Sequence, residues 1–257
     1  MELPKIDFHV HTAEKPTLTF IPLEGLIKEA EERGLKYLAV TDHWKDDTEV
    51  AIFVEERRKL SCLSSKLVVF LSAEVEIVDD KGSCPVNPRK HYEVLEALDY
   101  LSAAPHLGEL IPEERRPKTS DKYIEYVHRK YISILENDLF KVILHPDYGV
   151  RDGVKWGYFK TSSLKNIPEE LLDEFCEVAA SEDKVVEVNE NTVNAVEDYD
   201  ILVRKLVERG AKLTVGSDYH YFEQKDFPEY WVGRTQNALK TIIRNHGQKL
   251  LWIPQLR

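Results

Sequence analysis

"KIDFHVH", Lys5 to His11, is where the chain first shows what it is built for. Ile6, Phe8 and Val10 form one apolar face of a strand, and Asp7, His9 and His11 alternate onto the other, since successive strand side chains point to opposite faces. Six more apolar strand-like runs follow: "LKYLAV" (35–40), "KLVVFLSA" (66–73), "LDYLSAA" (98–104), "KVILH" (141–145), "KVVEVN" (184–189) and "AKLTVGS" (211–217). Helical patterns separate most of them. "PLEGLIKEAEERG" has Pro22 near its start, apolar spacing at Leu23, Leu26, Ile27 and Ala30, and Gly34 as a stop. "SDKYIEYVHRKYISILEND" opens on a Ser120 or Asp121 cap, and "PEELLDEFCEVAASED", "DYDILVRKLVERG" and "GRTQNALKTIIRNHG" complete the series. Strand–helix alternation predicts a parallel sheet with right-handed crossovers, and seven units predict an α/β barrel that is closed or nearly so.

Composition agrees with one barrel domain spanning 1–257: that length is ordinary for the architecture, and 42% hydrophobic residues supply a core. A net charge of −11 argues against a nucleic-acid surface, and against a phosphorylated substrate unless bound cations reverse the local sign. Cys62, Cys84 and Cys176 are far apart and form no CxxC pattern, which predicts neither disulfides nor a thiolate metal site and fits a reduced, cytoplasmic setting. The first strand starts too early for a signal peptide, and no apolar run reaches the ~20 residues of a membrane span. Leu250, Leu251, Trp252 and Ile253 read as a last element packed on the barrel, with a contact to a second copy as the alternative; the oligomeric state stays open.

Six of the nine histidines fall at the C-terminal ends of strands: His9, His11, His43 in "AVTDH", His106 in "AAPH", His145 in "VILHP" and His220 in "GSDYH". Glu74 in "LSAE" and Asp218 join them. In a parallel barrel those ends converge on one face, and eight N/O donors exceed what one zinc-like ion takes, so two or three divalent metal ions are expected, Zn, Mn or Fe. His128 and His246 lie on helices, and His91 sits in the long loop 79–92; a second long loop spans 147–167.

"DFHVH", "TDH", "AE", "PH", "LHPD" and "GSDYH", in this order, resemble the PHP (polymerase and histidinol phosphatase) family. The resemblance runs from residue 5 to about 222 and implies a distorted (β/α)7, TIM-like barrel with a metal cluster at its C-terminal end. By that resemblance His9, His11, Glu74 and Asp218 would hold the first metal. Glu74 would bridge to a second held by His106 and His145. His43 and His220 would hold a third. The family's remaining third-metal His falls near Thr17, where "TAEKPTLTF" has none, so Thr17, His91 or water would have to fill the place. Asp7 would orient a ligating imidazole or act as a plain salt-bridge or capping residue.

The resemblance further implies hydrolysis of a small phosphate ester by a metal-activated hydroxide, with Asp218 taking or orienting a proton and His43 and His220 on the phosphate and leaving-group side. Phosphate binding calls for a further cation. The candidates are Lys15, Lys45, Arg89, Lys90, Arg115, Arg116, Arg151 and Lys155, with Arg151 first because its loop follows a ligand-bearing strand. "VEVNEN" (185–191) partly resembles a strand of the histidinol-phosphatase members and would turn Asn189 toward the substrate. Histidinol phosphate and nucleotide monophosphates are candidate substrates. A PHP exonuclease or phosphodiesterase, a phosphotyrosine phosphatase, an amidohydrolase-like activity and a non-catalytic barrel lacking one metal are the alternatives.

Overall fold

The computed structural model describes residues 3–12, 21–107, 116–220 and 231–255. All seven expected strands form: β1 Ile6–Val10, β2 Tyr37–Trp44, β3 Val68–Glu76, β4 Tyr100–Ala104, β5 Val142–Ile143, β6 Val185–Asn189 and β7 Lys212–Gly216. Among the described residues the helices are α1 Leu23–Glu32, α2 Val50–Cys62, α3 Tyr92–Ala97, α4 Ser120–Leu135, α5 Val150–Lys155, α6 Glu169–Ser181, α7 Glu190–Ala195, α8 Asp200–Arg209 and α9 Gln236–Arg244. The strands pair in sequence order and every pair is parallel. The architecture is an α/β barrel of the (β/α)7 kind. Every residue of β1, β4 and β6 is buried, as expected where sheet faces are covered by helices outside and side chains inside.

Closure is made beyond the last strand rather than by it. Val10 bridges Tyr219 in parallel, the His11 amide donates to the Tyr219 carbonyl (3.0 Å), and the Asp218 amide donates to the His9 carbonyl (2.9 Å). β1 is itself irregular: Asp7 stands opposite Leu38 and Val10 opposite Val40, so two residues of β1 face one of β2 between these pairs. That bulge sends Asp7 to the seam. Its carboxylate accepts from the Ser217 amide (2.9 Å) and hydroxyl (2.6 Å) and the Gly233 amide (2.7 Å), and touches no imidazole. Burial pushes its carboxyl up to about 6, against those hydrogen bonds. Asp7 thus fastens the barrel seam, and it meets a donor residue only through the backbone, its Oδ1 accepting from the His9 N–H (3.3 Å).

α1 buries Leu23, Leu26, Ile27 and Ala30 as its spacing predicts, and the backbone turns left-handed at Gly34 (φ 74°) just past its end. α4 is capped by Thr119 rather than by Ser120 or Asp121: Thr119 has the extended backbone a cap needs, and its hydroxyl accepts from the Lys122 amide (3.3 Å). α2 buries only Phe53 and Glu56, too little apolar periodicity to stand out in sequence. The loop 147–167 folds into α5 and a 3-10 turn at Leu164–Asn166. At the C-terminus the Trp252 amide donates to the Leu213 carbonyl (2.7 Å) and its ring meets Tyr100 edge-on, so this tail packs on the barrel. No helix among the described residues is long and apolar enough to cross a membrane.

Candidate metal centre

The ends of β1, β2, β3 and the segments after β4, β5 and β7 bring all eight predicted donors together. Glu74 is the hub. Its Oε2 lies 3.3 Å from His9 Nε2, 3.4 Å from His11 Nε2 and 3.4 Å from His43 Nδ1. Its Oε1 lies 3.3 Å from His145 Nε2 and 3.7 Å from His106 Nε2. Asp218 Oδ1 closes the first side, 3.4 Å from His9 Nε2 and 3.3 Å from His11 Nε2. The register explains the convergence: β2 and β3 place His43 directly opposite Glu74. His145 and Asp218 both hold left-handed backbone, φ 31° and 56°, a conformation that L residues adopt only where the surroundings enforce it. Those kinks end their strands and turn the side chains over the barrel mouth.

Among the described residues, three groups, each with its donor atoms within 4.8 Å of one another, could hold a cation: His9, His11 and Glu74; Glu74, His106 and His145; and His11, His43 and His220. The third group reuses His11, whose ring packs against both His43 (4.7 Å) and His220 (4.1 Å). The donor set fits divalent cations. It is all nitrogen and oxygen, as Zn, Mn or Fe prefer. His9 Nε2 stands 3.1 Å from His11 Nε2, so two ring nitrogens aim at one space, and the other His11 nitrogen, Nδ1, is buried with the Asp42 carboxylate 3.7 Å away. Three imidazoles are also fixed from behind. His9 Nδ1–H donates to Glu187 (3.0 Å), His106 Nδ1–H to Glu76 (2.6 Å) and His220 Nδ1–H to the Asp218 carbonyl (3.0 Å), so each ring is anchored through Nδ1. An oxygen behind a histidine is the usual support of a metal ligand.

Electrostatics follow from this packing. Burial opposes ionisation of Glu74, yet the surrounding imidazoles, His43 first, hold its carboxyl well below the usual range. Asp218 is half-buried; desolvation opposes its charge, yet it too is held well below that range, chiefly by His9. Burial pushes His43 down to about 3 and His220 down to about 4. His106 goes the other way: although partly desolvated by its neighbours it keeps an exposed edge, and the Glu76 hydrogen bond carries it up to about 9.

Above the centre opens a cavity of about 660 Å³, within the range of small-molecule sites. Its wall includes His43, His106, His220, Glu74 and Asp218, the cations Lys45, Arg151 and Lys155, the acids Glu76, Asp147 and Asp152, and the apolar Val78, Pro85 and Leu107. Arg151 thus lines the cavity, with its Nε donating to Asp147 (2.7 Å). Asn189 and His91 do not line the cavity. Asn189 is buried as the cap of α7, accepting from the Asn191 and Thr192 amides, and its Nδ2 donates to Glu187. His91 lies against Trp44 and bonds Asp47 (2.8 Å). Arg89 pairs with Asp138, and Arg116 lies over the Trp156 ring. Lys15, Thr17 and Arg115 lie outside the described residues.

Glu187 and Glu76 do not stand out in sequence, although a signal exists for both. Each lies two residues from a residue that does, Glu76 from Glu74 and Glu187 from Asn189, and therefore on the same strand face.

A family model for the PHP domain matches residues 7–191. Among solved structures, histidinol phosphate phosphatase from Lactococcus lactis, complexed with zinc, L-histidinol and phosphate, matches with a TM-score of 0.64 at 18% identity, covering 97% of this chain and 94% of that one. The putative histidinol phosphatase of Listeria monocytogenes matches with a TM-score of 0.64 at 12% identity, covering 87% of this chain and all of that one. At such identities the likeness is one of fold. No curated protein matches the sequence. The PHP model, however, covers well over half of the chain and starts inside its first strand, and with it the chain belongs to the PHP family.

Proposed function

We propose that the chain is a metal-dependent phosphoesterase that hydrolyses a small phosphate monoester. The observation that carries this reading is Glu74, one buried carboxylate whose two oxygens face two different donor groups at the floor of a cavity with cations on its wall. Family membership supports it. Divalent cations held there would lower the pKa of a bound water toward ~7 and neutralise phosphoryl charge.

The chain's own residues then have separable parts. His9, His11, Glu74 and Asp218 form one ligand set, and Glu74, His106 and His145 the other. His43 and His220 face the cavity on the side assigned to the phosphate and leaving group, and Asp218 offers a carboxylate oxygen to a proton. Arg151 keeps its Nε on Asp147, which directs the rest of the guanidinium as a fork for a phosphate oxygen. The solved Lactococcus lactis relative holds L-histidinol and phosphate, which makes histidinol phosphate the first ester to try, with nucleotide monophosphates next.

The test is elemental analysis followed by a screen of phosphomonoesters and phosphodiesters with added Mn²⁺ or Zn²⁺. Turnover should vanish with chelator and return with metal. Full hydrolysis by metal-depleted protein would sink the reading. Two or more ions per chain with no ester turned over would favour a binding barrel instead.

A further inference from the structure

Glu187 sits in β6 with no exposed surface, and its two oxygens reach in two directions. Oε1 accepts from His9 Nδ1–H (3.0 Å) and from Asn189 Nδ2 (3.2 Å), and Oε2 accepts from the backbone N–H of His145 (2.5 Å). His9 belongs to the donor group on Glu74 Oε2 and His145 to the group on Glu74 Oε1. One carboxylate thus touches both groups without being a member of either. Each contact settles something a ligand needs. At His9 it keeps a proton on Nδ1 and turns Nε2 toward Glu74 and Asp218. At His145 it fixes the amide of a residue held at φ 31°, which without such a partner would relax out of the left-handed region and swing its ring away from Glu74.

The neighbouring strand makes room for this. A Cβ on Gly216 would lie 2.0 Å from Glu187 Oε1 and 2.4 Å from the His9 Cβ. The backbone of Gly216 is not left-handed, so the glycine answers a need for space. We propose that Glu187 is a positioning residue that sets both Glu74-centred ligand groups at once, and that Gly216 is the gap that admits it. The inference rests on the metal centre described above and is independent of which ester is hydrolysed.

Glu187→Gln is the direct test. It has nearly the same shape but only one acceptor oxygen, so it cannot accept from both His9 Nδ1–H and the His145 amide. Zinc affinity is measured by competition with a chromophoric chelator, and ligand geometry by the visible spectrum of the cobalt(II)-loaded protein. Circular dichroism of the metal-free form establishes folding. Glu187→Gln should weaken both Glu74-bound ions by roughly 10–100-fold and change the cobalt spectrum. Gly216→Ala should reproduce the loss, although it removes no ligand and no hydrogen-bonding group. Glu76→Gln, which touches only His106, should weaken one ion. Glu187→Asp, which keeps both acceptors on a shorter arm, should recover part of the affinity and replaces Glu187→Gln if the latter does not fold. Two ions bound with wild-type affinity and an unchanged spectrum in the Gln or, where needed, the Asp variant would overturn the proposal, and so would loss of a single ion. A wild-type chain that takes up no zinc defeats the metal centre itself. A chain that binds zinc but hydrolyses nothing defeats only the activity and leaves this proposal standing on its own readouts.

Discussion

The two ends of the barrel use charge in opposite ways. Where the strands begin, Asp183 meets Lys141 and Lys212 at 2.6 Å each, in pairs that stay largely in water. Where they finish, six imidazoles and two carboxylates crowd together, with His9, His11, Glu74 and His145 buried. Solvent screens the first set and leaves each pair worth little. The second set is desolvated, so every charge there depends on a specific neighbour, and removing one strands the others. In a barrel of this kind the first end serves stability and the second serves chemistry.

That contrast can be broken at graded strength. The largest effect is expected from Glu74→Gln, which removes the charge both donor groups share. Both ions should be lost and hydrolysis should fall by roughly a thousandfold, the several kcal/mol a cation contributes to charge stabilisation; retention of two ions in elemental analysis would show that Glu74 is no hub. Next comes His220→Asn. It should lower turnover by about 10–100-fold while the two Glu74-centred ions stay bound, and loss of those ions too would merge what look like separate groups. Arg151→Ala should raise KM for a phosphorylated substrate by about tenfold, or 1.4 kcal/mol, with kcat little changed; an unchanged KM removes Arg151 from phosphate binding. The smallest effect belongs to the other end. Asp183→Asn should leave activity intact and cost less than about 1 kcal/mol in denaturant unfolding, since the group is mostly exposed.

The pH dependence of that last effect has a definite sign. Hydrogen bonds from Lys141 and then Lys212 depress the Asp183 carboxyl to about 2 in the folded chain. Its stabilisation is therefore complete above the unfolded value near 3.8 and disappears as pH falls through 2. Wild type and Asp183→Asn should differ at pH 6 and converge at pH 2.

The donors were legible because each stands at the same end of its own strand, a coincidence that structural histidines do not produce. Even "KVILH" could be read, although only Val142 and Ile143 pair as strand. What supports the donors was harder to see. Glu187 and Glu76 are single acids inside strands, and only knowledge of which nitrogen they meet separates them from acids that face solvent. Asn189 was placed on the right strand but given the wrong task, because an Asn that caps a helix and an Asn that binds a ligand look alike until the backbone amides of Asn191 and Thr192 are located. Asp7 could be read as an orienter of an imidazole or as a plain salt-bridge or capping residue, and the bulge in β1 that decides between them leaves no mark in the sequence.

The seam of the barrel has a consequence for how the chain holds itself together. Val10 and Tyr219 join the first strand to the segment after the last, and His9, His11 and Asp218 flank that joint. A cation shared by His11 and Asp218 would cross-link positions 207 residues apart. Closing so long a loop in the unfolded chain is where a cross-link removes the most conformational freedom. All three cysteines are free, so the ion would act here as the staple that a disulfide provides elsewhere.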